Sequence, residues 1–79
     1  MYKSVTHVEP TDDFQLILEF DHRERKIFDV KPILSVGGFA ALKDKQAFRK
    51  VHISFDTVAW ENGLDLDPEY LYAKSKEMQ

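Results

Sequence analysis

The chain has 79 residues, 43% of them apolar, with 11 Lys and Arg against 14 Asp and Glu and no Cys. That length supports one domain around one core, and a formal charge of -3 is far from the basic balance used for generic phosphate binding. The lack of Cys excludes disulfide staples, thiolate zinc sites and cysteine nucleophiles; early acids and the absence of a long apolar run leave no expected signal peptide or membrane span, so a soluble cytoplasmic protein is expected.

Val5 to Val8 is β-prone and runs into Glu9-Pro10-Thr11-Asp12-Asp13, whose Pro and Asp residues favour a turn. Residues 14 to 20 place Phe14, Leu16, Leu18 and Phe20 on one face at period two, with Gln15 and Glu19 opposite. Asp21-His22-Arg23-Glu24 is a polar break of hairpin length, and Arg25-Lys26-Ile27-Phe28 is the return strand. Asp29 ahead of Pro32 suits an N-cap or tight turn opening a short helical turn, which Gly37-Gly38 ends. Phe39-Ala40-Ala41-Leu42 can plug the core, with Lys43-Asp44-Lys45 as an exposed connector. Val51, Ile53 and Phe55 then alternate with His52 and Ser54, and Val58 and Trp60 follow the Asp56-Thr57 break as a second hairpin with an apolar core face. Asp67-Pro68-Glu69 places an acceptor at the N-cap and Pro at the first helical position, predicting a helix of about two turns through Tyr70, Leu71 and Ala73.

These elements predict an α+β fold: a two-layer domain of about five mainly antiparallel strands in two β-hairpins, with short helical turns after the third strand and a short C-terminal helix. A single domain is expected over 1–79, its core within about 3–73 and residues 74–79 frayed. Charge falls in three blocks: one base against five acids in 1–22 (-4), eight against three in 23–52 (+5), and two against six in 53–79 (-4). The layout either presents a basic face or lets neighbouring segments pair opposite charges.

The run Phe28-Asp29-Val30-Lys31-Pro32-Ile33-Leu34, then Phe39 to Asp44 with Phe48, and above all the ending from Trp60 to Tyr72 with its Asp-Leu-Asp-Pro step, resemble the bacterial domain of unknown function 2442 family over roughly residues 3 to 72. The resemblance implies a small α+β domain with antiparallel strands, in some relatives fused to a C-terminal helix-turn-helix and often encoded beside another small protein in toxin-antitoxin-like pairs. It implies no catalytic residue. Asp21-His22-Arg23-Glu24 departs from the Gly-containing turn of that pattern, and 79 residues leave no length for the fused DNA-binding motif.

The chemistry-bearing residues do not assemble into a motif. His7, His22 and His52 lack ligand spacing; Asp65 and Asp67 could form a carboxylate pair, but Asp67 has a structural task as N-cap before Pro68. Ser4, Ser35, Ser54 and Ser75 sit in no nucleophile elbow, and Gly37-Gly38 is not a phosphate loop. No catalytic, metal or cofactor residue is assigned, and the aromatic side chains are read as core rather than as a stacking platform. The expected role is a non-catalytic protein-interaction or accessory module that binds another small protein or a second copy of itself. Its expected surface is a strand edge together with Arg23, Arg25, Lys26, Lys43, Lys45, Arg49 and Lys50. The same bases keep a nucleic-acid-associated regulatory domain open as the alternative, ahead of a small-molecule-binding domain or an enzyme.

Overall fold

A computed structural model describes residues 3–78. Strands β1 (Val5–Pro10), β2 (Gln15–Phe20), β3 (Arg25–Asp29) and β6 (Lys76–Glu77) form a four-stranded sheet in the order β1-β2-β3-β6, every pairing antiparallel. A separate hairpin joins β4 (His52–Ser54) to β5 (Thr57–Ala59) and lies against β1. Two 3-10 turns, Lys31–Ile33 and Gly37–Lys43, lead into helix α1 (Lys45–Arg49), and α2 (Pro68–Lys74) precedes β6.

The period-two pattern of β2 sets the core. Leu16, Leu18 and Phe20 are completely buried, beside Val5 and Phe28 from the flanking strands. Leu42, Phe48, Val58 and Leu71 belong to the same buried cluster and supply its second layer from the helices and the β4–β5 hairpin. Trp60 is buried as well, its indole N–H donating to the Phe48 carbonyl at 3.0 Å. The opposite sheet face carries His7, Glu9, Glu19 and Arg25, a solvated face of the kind antiparallel sheets allow.

Several local expectations change. Phe14 falls outside β2: it has a left-handed φ of 58° in the turn that Thr11 closes, and it packs edge-on to Phe48 with ring centroids 5.2 Å apart. Phe55 does not join the core. The second turn is Phe55-Asp56, one residue earlier than Asp56-Thr57, with Ser54 and Thr57 as the last paired residues; the slip turns Phe55 out to solvent at 97% exposure. Residues 74–79 do not simply fray, because Lys76 and Glu77 pair with Ile27 and Lys26; Gln79 lies outside the described residues. Asp67 holds the N-cap position and Pro68 opens α2, but the Asp67 side chain accepts no capping bond. Asp29 accepts the Lys31 N–H at 3.0 Å in a tight turn, while Val30 and not Asp29 occupies the cap position of the first 3-10 turn. The connector around Asp44 is a helix start: its carboxylate accepts the Gln46 N–H at 3.1 Å and caps α1.

The first hairpin turn resolves into three residues, Asp21-His22-Arg23, closed by Arg23 N–H to Phe20 O at 2.8 Å and Phe20 N–H to Glu24 O at 2.9 Å. Its last residue must be left-handed, and Arg23 takes φ 67° there without the help of a Gly.

Candidate docking groove

On the helical side of the molecule, two stretches that are distant in sequence, 33–39 and 65–70, leave an apolar depression of about 450 Å³ between them, lined by Ile33, Val36, Phe39, Leu66 and Tyr70 with Asp65 and Asp67 beside them. Each wall is held from below. Ile33 rides on the first 3-10 turn, whose Pro32 fixes the backbone before it. Val36 is extended immediately ahead of Gly37, which turns the chain with φ 51°, and Val36 remains 57% exposed. Phe39 stands edge-on to buried Trp60 at 6.4 Å. Leu66 is tied to β5 in both directions: its N–H donates to Val58 O at 3.3 Å, and the Thr57 hydroxyl donates to its carbonyl. Tyr70 follows from the helix period: Leu71 points into the core, so Tyr70 and Lys74, four residues apart, share an outer face.

A second depression of about 420 Å³ continues from the first, sharing Ile33 and Tyr70 and adding Phe28, Pro32, Asp29, Lys74 and Lys76. The Phe28 and Tyr70 rings meet edge to face at 5.9 Å on its floor. On the other flank, a third depression is lined by Phe55, Pro68 and the shared Asp65. Of the four large apolar residues left exposed among those described, Val36 and Tyr70 border the first depression, while Phe55 borders the third, which is otherwise mostly polar (Ser54, Asp56, Thr57) and meets the first at Asp65.

The basic block is distributed differently. Lys26 faces the core because it stands opposite Leu18; it is buried, its ammonium donating to Tyr72 O at 2.8 Å and lying 3.9 Å from the Tyr72 ring centre. Arg49 is ion-paired with Asp12, and Lys50 with Glu61 at 3.8 Å. Arg23 and Arg25 stay exposed on the first hairpin, and Lys43 and Lys45 flank Asp44, without an ion pair among the described residues. Acids from the terminal blocks thus answer part of the central block, as Asp13 also does for Lys31 at 3.0 Å. The strand edges carry obstacles to a further strand: β1 holds Pro10 and a bulge between Val5 and His7, and β6 has two residues, both charged.

The densest polar cluster ties α2 to the first hairpin. Glu24 Oε1 accepts from the Tyr72 hydroxyl at 2.7 Å and lies 2.6 Å from His22 Nε2, while Asp21 approaches His22 Nδ1 at 3.2 Å. The Tyr72 bond first, and His22 second, hold the Glu24 carboxyl down at about 2. Glu24 first, then Asp21, raise the His22 pKa, and Glu24 raises that of the Tyr72 phenol. The phenol is made a weaker acid and the carboxylate a weaker base. His7 and His52 lie on β1 and β4, away from this cluster in sequence, and among the described residues no group of three or more His, Asp and Glu side chains could hold a metal ion. Among the described residues no helix is long and apolar enough to cross a membrane.

The fold is a small α+β domain of antiparallel strands with a shallow, mainly apolar depression on its helical side. Comparison with known families places it further: the model of the family described as "Protein of unknown function (DUF2442)" matches residues 5–77, and the chain belongs to that family. Searches of curated proteins and of solved structures gave no match.

Proposed function

We propose that this chain is a non-catalytic protein-interaction module of the bacterial cytoplasm, and that its partner docks on the groove between Val36 and Tyr70. The observation that carries the reading is the exposure of Val36 and Tyr70, at 57% and 38%, on one mainly apolar depression. Exposed apolar patches of this kind mark contact sites, and aromatic side chains set in pockets supply most of the energy in such contacts. Lys26, Arg49 and Lys50 are engaged within the molecule and the edges of the four-stranded sheet are obstructed, so the proposed contact is centred on the apolar groove rather than on the basic block as a whole. A small protein encoded beside this one, as in a toxin-antitoxin-like pair, is the first partner to examine.

The test is affinity capture from the native cell with and without nuclease, using the natural protein, Tyr70→Asp, Val36→Asp and the double reversal Lys43→Glu with Lys45→Glu. Docking in the groove gives a protein partner that both groove variants lose and the lysine reversal keeps. A partner lost only with the lysines, or nuclease-sensitive retention of nucleic acid in place of a protein, overturns the reading. So does a second copy as the sole companion, seen by light scattering.

A further inference from the structure

The groove has electrical ends. Asp65 and Asp67 stand at the Leu66 end, both exposed and neither in an ion pair among the described residues; Lys74 and Lys76 stand at the Phe28 end, likewise unpaired. Asp29, also at the second end, is occupied by Lys31, whose ammonium lies 3.4 Å away and whose N–H it accepts. Asp67 has its oxygens free for another reason: it sits at the N-cap of α2 but accepts nothing from the helix. Ile33 and Tyr70 form the apolar saddle between the two ends, with a basin of over 400 Å³ on each side.

Building on the docking reading, we infer that the groove takes a partner segment in one orientation: apolar side chains in the two basins, Lys or Arg against Asp65 and Asp67, and a carboxylate against Lys74 and Lys76. Unpaired charges at a groove rim choose partners by complementarity, rejecting like charge more strongly than they reward a match. That selects against a second copy of this chain as the occupant. Its own exposed knob, Phe55, is followed by Asp56 and shares its depression with Asp65, so seating it in a neighbour's groove brings acids toward Asp65 and Asp67. It also selects against a nucleic acid, whose phosphates would meet the same carboxylates.

The experiment selects a phage-displayed library of random short peptides on the immobilised natural protein, then measures the recovered peptides on variants. Tyr70→Asp and Val36→Asp report groove occupancy, and the double variant Asp65→Lys with Asp67→Lys reports polarity. All three are checked for a native thermal transition, and Asp65→Asn with Asp67→Asn serves if the reversal does not fold. The expected peptides carry apolar residues bracketed by Lys or Arg on one side and Asp or Glu on the other. They bind Tyr70→Asp and Val36→Asp poorly and lose about tenfold in affinity on the double reversal, the sum expected from two rim pairs turned repulsive. Groove-dependent peptides without the charge pattern, or indifferent to the reversal, overturn this inference and leave the docking reading standing. A selection that yields no groove-dependent peptide overturns both.

Discussion

Phe14, Arg23 and Phe55 all adopt left-handed backbone, at φ 58°, 67° and 57°, a conformation in which bulky residues are strained. Phe14 is compensated by its contact with Phe48, whereas Phe55 at 97% exposure gains nothing inside the molecule. Phe55 stands beside the proposed docking surface, across the shared Asp65. Arg23→Gly is expected to raise stability by about 0.5–1 kcal/mol in urea unfolding, with partner capture unchanged. Phe55→Gly is expected to raise stability by a similar amount and to weaken capture; a loss of stability at either position would show that the turn is not strained there. The His22–Glu24 pair adds a pH signature. The folded His22 pKa lies above 6.5, so its contribution is complete below that value and fades as pH rises through the folded pKa. Glu24, held at about 2 against an ordinary 4.5, contributes above 4.5 and fades as pH falls toward 2. The thermal midpoint of the natural protein, referenced to His22→Gln, should fall as pH rises above 6.5, and the difference between the two should shrink through that rise.

At the scale of elements, legibility followed the strength of the local pattern. The β2 alternation and the Asp67-Pro68 start of α2 are both visible in the sequence and present in the fold, because burial on one face and a fixed φ are local constraints. β6 was invisible: Lys76 and Glu77 have no strand pattern, and pair because the end of α2 delivers them to the open edge of β3. The slip at Phe55 has the same origin, since a run of Val51, Ile53 and Phe55 continues an alternation that the two-residue turn interrupts. α1 carries a local signal, Asp44 as an acceptor ahead of Lys45 to Arg49, in a stretch too short for its period to show. Asp44→Ala should cost about 1 kcal/mol in unfolding free energy, the usual worth of such a cap, while leaving capture intact because the groove is built elsewhere. A change well under half that value would mean that the Gln46 N–H finds another acceptor.

Across the whole molecule, the alternation of acidic, basic and acidic blocks is in part an internal arrangement: Asp12 meets Arg49, Asp13 meets Lys31, and Glu61 meets Lys50. Exposed pairs like these add little stability, but they withdraw charge from the surface and leave Asp65 and Asp67 among the unpaired acids. The candidate site could not be read beforehand because its walls come from residues 28–33, 36–39 and 65–70, which only the tertiary fold brings together. What the sequence did carry was Val36 before Gly37-Gly38 and Tyr70 one step from buried Leu71, two apolar residues that local patterning does not send to the core. Docking in the groove is tested most directly by photo-crosslinking in the native cell, with benzoylphenylalanine placed singly at Val36, at Lys43 or at His7 on the open sheet face. The expected result is one protein adduct from position 36, lost when Tyr70→Asp is added, and none from positions 43 and 7. Adducts from 43 or 7 with none from 36 would contradict it.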